Sequence, residues 1–195
     1  MKAKQSVFRF VYPLFMKLSR LLGVNSHIHR NTGNAAPVSS FYELQGVQNN
    51  GIPLSMQQYK GQKILLVNTA SDCGYTNQYG QLQQLHQRYP GLVILGFPAN
   101  DFKEQETSND GEIARFCEIN FGVTFPLMKK SVVVKSEAQN TVFEWLSSSR
   151  LNGWNNRAPE WNFSKYLVNE QGMLMHYFGP AVSPLSNTVI SAIEG

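Results

Sequence analysis

The chain has 195 residues, 42% of them hydrophobic and 12% aromatic, which suits one globular domain with an extension. Its net charge of +4 is uneven: six of the 17 basic residues precede Glu43, the first acidic residue, and the remainder holds 11 basic and 13 acidic residues, so the body carries no basic field for nucleic acid. Two cysteines exclude a disulfide-dense secreted scaffold, and no uncharged apolar run of about 18 residues marks an ordinary membrane span.

Residues 1–38 read as a basic amphipathic extension with a polar linker, and residues 39–195 as the folded body. Val7, Phe8, Phe10, Val11, Leu14, Phe15, Leu18, Leu21 and Leu22 fall within an arc of roughly 160° on a helical wheel, and Arg9, Lys17 and Arg20 fall opposite them. Pro13 would kink such a helix. Three readings stay open: a helix lying on an anionic membrane surface through residues 7–22, a signal or organellar presequence, or a segment docked on its own domain or disordered. The compartment stays open with them: cytoplasmic or membrane-surface in the first case, exported or organellar in the second. Residues 25–40 are rich in Asn, Ser, His, Gly and Pro and read as a polar linker, with His27 and His29 solvated rather than metal-bound.

In the body, residues 41–44 predict a short strand and Gly51 a turn. Residues 63–68 form a near-continuous apolar run, the pattern of a strand buried on both faces. Residues 77–89 predict a helix with Tyr79, Leu82, Leu85 and Tyr89 on one side, followed by a second buried strand over 92–97. Asn109, with Glu112 three residues on, starts a helix carrying Ile113, Phe116 and Cys117, and Asn140 caps another over 141–146. Residues 165–169 and 173–178 flank Glu170-Gln171-Gly172 as a hairpin, and Ser183-Pro184 opens a last helix. This order fits an α/β thioredoxin-like fold: a central mixed sheet flanked by helices.

Cys73 lies just after the first buried strand, where that strand turns toward a helix. Backbone N–H groups and the helix dipole favour a thiolate there, and a thiolate attacks peroxides and disulfides. The motif is Cys73-Gly74-Tyr75-Thr76, so Cys73 has no local partner of the C-x-x-C kind. It can still become a sulfenic acid, which a second thiol would resolve. Cys117 is the other thiol of the chain; its place beside Phe116 on an amphipathic helix fits core packing as well as resolution. The four histidines (His27, His29, His86, His176) show no ligand spacing, and no Gly-rich phosphate loop or G-x-S-x-G occurs, so no metal or bound cofactor is expected.

Residues from about 41 to 194 resemble the glutathione peroxidases. Three blocks carry the likeness in order. N-T-A-S-D-C-G-Y-T-N-Q-Y (68–79) resembles the active-site N-V-A-S-x-C/U-G-x-T. G-F-P-A-N-D-F-K-E-Q-E (96–106) resembles F-P-C-N-Q-F-x-x-Q-E, and E-W-N-F-S-K-Y-L-V (160–168) resembles W-N-F-x-K-F-L-V. The stretch 112–128 adds a fourth. The resemblance implies a catalytic tetrad of Cys73, Gln105, Trp161 and Asn162: a nucleophile, and three donors that can converge on one anion. It also implies that Cys117 is the resolving thiol of a two-cysteine member, and that its helix partly unwinds, because a disulfide needs Cα atoms within about 7 Å. The short segment 107–160 lacks the insertion of tetrameric relatives, which implies a monomer.

The activity so implied is that of a thiol peroxidase acting on hydrogen peroxide or organic and lipid hydroperoxides in the response to oxidative stress. A Cys73 sulfenic acid would be resolved by Cys117 and reset by thioredoxin or glutathione as co-substrate. A peroxide-sensing relay that oxidises a partner protein uses the same residues, and a non-catalytic membrane-bound module is a third reading. Ala99, Asp101 and Lys103 depart from the family pattern. Asp72 departs too; a carboxylate about 6 Å from the sulfur would oppose the thiolate by about 0.7 to 3 kcal/mol, toward the low end if it faces solvent.

Overall fold

The computed structural model describes residues 25–195. The segment 7–22, with its three readings, lies outside the described residues. A five-stranded sheet runs in the order β1-β7-β6-β4-β5, with β1 Ile28–Arg30, β4 Lys63–Thr69, β5 Leu92–Pro98, β6 Lys165–Val168 and β7 Leu174–Phe178. β4 pairs parallel to β5 and antiparallel to β6, so the sheet is mixed, as expected. A separate hairpin joins β2 Gln45–Val47 to β3 Pro53–Ser55.

β4 shows why an apolar run without alternation makes a central strand. Leu65 and Val67 point to one face, Ile64 and Leu66 to the other, and all four are fully buried. The first pair packs with Tyr79, Leu82 and Leu85 of α1 (Gln78–Arg88), Ile113 and Cys117 of α2 (Asp110–Phe121), and Val189 and Ile193 of α5 (Asn187–Glu194). The second pair packs with Phe143, Trp145 and Leu146 of α3 (Thr141–Leu146), and with Tyr166 and Tyr177. Helices thus cover both faces; α4 (Ser149–Asn152) is a single turn after α3.

The predicted caps are in place. Asn109 Oδ1 accepts from Glu112 N at 3.0 Å and Glu112 Oε2 accepts from Asn109 N at 3.1 Å, closing a capping box on α2. Asn140 Oδ1 accepts from Val142 N at 3.0 Å at the start of α3. The hairpin turn before β7 places Gly172 at φ +78, a left-handed position that glycine takes without strain.

Three expectations are corrected. Residues 41–44 form a 3-10 turn, Phe41–Glu43, instead of a strand. A strand would send Phe41 and Tyr42 to opposite faces, whereas the turn buries both in one core. The last helix begins at Asn187 under a Ser186 cap instead of at Ser183-Pro184, which forms a turn closed by Ser186 N donating to Ser183 O at 3.0 Å. Within the expected linker, Ile28–Arg30 adds β1 to the sheet edge against β7. Its three residues carry no apolar alternation, so the partner strand rather than the local pattern makes the strand.

Lys165 on β6 is buried, and its ammonium donates to Gln78 Oε1 at 3.0 Å, Pro180 O at 3.3 Å and Val182 O at 2.6 Å. Three acceptors match its three N–H groups and tie the start of α1 to the sheet, although burial pushes its pKa well down.

His176 on β7 stacks on Phe178 with ring centroids 5.4 Å apart. Burial first, then the charges of Arg30 and Lys63, lower its pKa from 6.5 to about 4. The unfolded chain therefore binds this proton more readily, and stability is lost as pH falls from 6.5 toward 4. Urea midpoints measured over that interval should drop more steeply in the wild type than in His176→Gln; parallel curves would remove His176 from the acid response.

Candidate active site

The site is built where β4 runs out. Asn68, fully buried near its end, makes four bonds to the segment 161–164. Its Nδ2 donates to Trp161 O at 3.1 Å, and its Oδ1 accepts from Ser164 N at 3.0 Å. Its main-chain O accepts from Phe163 N at 2.6 Å, and its N donates to Ser164 O at 3.3 Å. Phe163 takes φ +68, a left-handed value unusual for a bulky residue, and this clamp holds it there.

The loop beyond β4 is pinned along its length. Thr76 Oγ1 accepts from Cys73 N and donates to Ala70 O, each at 3.0 Å. Glu106 Oε2 accepts from both N and Oγ of Ser71 at 2.8 Å. Asp72 N donates to Gln105 O at 3.0 Å. Tyr75 N–H points at Cys73 Sγ over 3.5 Å.

The expected residues do not all reach the sulfur in the same way. The side chains of Trp161 and Asn162 favour the charged form of Cys73 and pull its pKa down. Gln105 stands one step back: its Oε1 accepts from Asn162 Nδ2 at 3.0 Å, and its main chain holds Asp72. Phe102 packs against Trp161 at 5.4 Å between centroids, and Lys103 Nζ lies 5.7 Å from the Trp161 ring. Lys103 and Glu104 both take positive φ, +52 and +53, so the 102–105 loop is a tight left-handed corner. Asp101 is used structurally: its Oδ2 accepts from Val133 N at 2.8 Å.

Burial raises the Cys73 pKa above the usual thiol value. The Tyr75 N–H, Trp161 and Asn162 pull it down, and Asp72 pushes it up as the smallest influence. The sequence favours a thiolate at this turn; in the fold, desolvation outweighs the donors, and α1 begins only at Gln78. Asp72 itself is exposed. Cys117 is fully buried on α2 and packs in the same core as Tyr79. Burial lifts its pKa to about 11, the Tyr79 hydroxyl lowers it, and Glu106 raises it. Both cysteines are free thiols. Among the described residues no group of three or more His, Cys, Asp or Glu side chains is placed to hold a metal ion.

Sequence reasoning passed over Asn68, Thr76 and Glu106. Asn68 left a signal, a polar residue ending an otherwise apolar strand, and Glu106 sits beside Gln105 in the second block.

A family model described as glutathione peroxidase matches residues 41–147. The glutathione peroxidase-like peroxiredoxin HYR1 of Saccharomyces cerevisiae is 41% identical over 156 residues, 78% of this chain and 95% of that protein. The crystal structure of T. cruzi GPX1 superposes with a TM-score of 0.61 and 26% identity, covering 80% of this chain and 98% of that one. A thioredoxin family thiol:disulfide interchange protein of Chlorobium tepidum shares the fold alone, with a TM-score of 0.56, 16% identity, and coverage of 82% of this chain and 94% of that one.

With Cys73 neutral at rest, its alkylation rate, followed by peptide mapping, should keep rising over about pH 6 to 9. Asp72→Asn should raise that rate by no more than about threefold. A rate already level below about pH 7 would contradict the weighing of burial over donors.

Proposed function

The chain belongs to the glutathione peroxidase family and is a peroxidase, and from that premise we propose a two-cysteine thiol peroxidase in which Cys73 is the peroxidatic and Cys117 the resolving residue. The observation that carries the reading is the Tyr75 N–H aimed at the Cys73 sulfur, with the Trp161 and Asn162 side chains also favouring its charged form. The sulfur's lone pair forms a bond to the outer peroxide oxygen, and the O–O bond breaks. The leaving alkoxide or hydroxide takes a proton, giving alcohol or water and a Cys73 sulfenic acid. Donors held around the sulfur stabilise the charge that passes from it to the leaving oxygen, so they act in the transition state even where the resting thiol is neutral. Gln105, through Asn162, fixes which way that amide points.

Cys117 then attacks the Cys73 sulfur, and hydroxide leaves as water. α2 must open for this, since Cys117 lies in the core and the two Cα atoms must approach within about 7 Å. A dithiol reductant restores both thiols by disulfide exchange. The second thiol in the chain favours thioredoxin over glutathione as that co-substrate, and the reaction takes its electrons from thiols rather than from a bound group. The yeast relative, a glutathione peroxidase-like peroxiredoxin by name, supports reduction of peroxides by thiols. Cys73 is partly exposed while Cys117 is buried, which also favours a second reading: an oxidised Cys73 can meet a partner's thiol before Cys117 arrives.

An NADPH-coupled assay with thioredoxin and with glutathione tests the proposal. Cys73→Ser should abolish turnover with either, and Cys117→Ser should lose thioredoxin-driven turnover. Undiminished thioredoxin-driven activity in Cys117→Ser would overturn the two-cysteine mechanism. A mixed disulfide with a partner protein trapped through Cys73 in that variant would favour the relay.

A further inference from the structure

Lys103 holds a position that its backbone disfavours. Its φ is +52, and Glu104 beside it takes +53, left-handed values that residues other than glycine rarely adopt. Strain of this kind gathers at active sites and ligand clamps. Hydrogen bonds place this corner at the mouth of the site. Gln105 N donates to Phe102 O at 3.3 Å and closes the corner. Gln105 O accepts from the N–H of Asp72, the residue before Cys73, at 3.0 Å. Gln105 Oε1 accepts from Nδ2 of Asn162, the residue after Trp161, at 3.0 Å. The Phe102 ring packs on Trp161 with centroids 5.4 Å apart, and Lys103 Nζ stands 5.7 Å from the centre of the same indole. Cys73, Phe102 and Trp161 are all partly exposed, and Lys103 is exposed.

The Lys103 charge is not cancelled within the fold. Among the described residues the ion pairs join Lys63 to Glu170 and Arg157 to Glu160. Two acids of this region are committed to the main chain: Asp101 Oδ2 accepts from Val133 N at 2.8 Å, and Glu106 Oε2 accepts from Ser71 N at 2.8 Å. Two others, Asp72 and Glu104, are exposed, and their charges repel an anion that approaches Cys73. Lys103, held over the indole, opposes them. We infer that Lys103 is a specificity-determining residue: its ammonium receives the carboxylate of an anionic organic hydroperoxide, of the type that a free fatty acid forms. The Phe102 and Trp161 rings take the apolar chain between that carboxylate and the peroxide that meets Cys73.

Such a ligand has two features, and the rim answers both. Partly exposed aromatic rings cover methylene groups, and an ammonium with three N–H donors binds a carboxylate while one side of it rests on the indole. The chemistry at the sulfur is that of any hydroperoxide: the outer oxygen passes to Cys73 and the hydroxy acid leaves. Lys103 takes no part in that step, so it sorts substrates by charge. An exposed pair of charges supplies a discrimination of up to about fivefold, and salt weakens it.

The inference rests on Cys73 being the peroxidatic thiol, and one experiment separates the two. The full chain, without reductant, is mixed with linoleic acid hydroperoxide or with its methyl ester, which differ only in the carboxylate charge. The rate of Cys73 oxidation is followed by quenching and mass analysis, at about pH 8, where the acid is ionised and the lysine charged. The readout is the ratio of the acid's rate constant to the ester's. Lys103→Gln should lower that ratio about three- to fivefold, Lys103→Glu should lower it further, and Lys103→Arg should hold it within about twofold of the wild type. Raising the salt from about 0.02 to 0.5 M should bring the wild-type ratio down toward that of Lys103→Gln. Lys103→Gly, which suits the left-handed backbone, carries the test if the Gln variant does not fold. An unchanged ratio in whichever variant folds overturns the inference while Cys73 stands as the peroxidatic thiol. Acid and ester slowed equally would make Lys103 a prop for Trp161 and overturn it too. An unchanged ratio with a raised KM for thioredoxin in coupled turnover would assign the lysine to the reductant instead. Wild-type Cys73 that neither hydroperoxide oxidises overturns the peroxidatic reading and the inference together.

Discussion

Asn68 holds the two halves of the site together. One buried amide at the end of β4 bonds to the main chain of Trp161 and Ser164, and its own peptide bonds to Phe163 and Ser164. The turn so clamped has a left-handed Phe163, a conformation that a free chain would leave. From it Trp161 and Asn162 favour the charged form of Cys73, four residues beyond the strand that carries the clamp. Trp161 and Asn162 therefore come from a segment about 90 residues from the nucleophile in sequence yet share one rigid support with it. Gln105 and Glu106 extend that support from a third segment, one through Asn162 and the Asp72 peptide, the other through Ser71.

Desolvation sets the resting state of both thiols. It raises the pKa of Cys73 despite three donors, and that of Cys117 to about 11 despite the Tyr79 hydroxyl. A peroxidase needs the thiolate only as it reacts. Donors fixed in place lower the barrier by binding the charge in flight more strongly than the charge at rest. On the proposed mechanism the same burial holds Cys117 back until α2 opens, so packing would order the events: oxidation at the partly exposed sulfur first, resolution from the core second.

Much of this was legible in the chain. The run 63–68 had to be a doubly buried strand, and Asn109 with Glu112 had to start a helix, because local pattern and capping chemistry decide both. The three sequence blocks singled out Cys73, Gln105, Trp161 and Asn162. What stayed hidden was set by distant contacts. β1 exists because β7 offers an edge, and Phe41 and Tyr42 form a turn because one core takes both rings. The thiolate expected at Cys73 followed from a helix end and nearby N–H groups; the opposing cost, burial, has no local signature. The burial of Glu106 is likewise set by a distant segment, through Ser71.

The pairing of Cys73 with Cys117 is the claim on which the rest turns, and peptide mass mapping of protein treated with one equivalent of peroxide, without reductant, tests it most directly. The account predicts a single linked peptide joining Cys73 to Cys117, with the protein lighter by two hydrogens. Oxygen retained on Cys73, as sulfenic or higher acids, with Cys117 still a free thiol would contradict it.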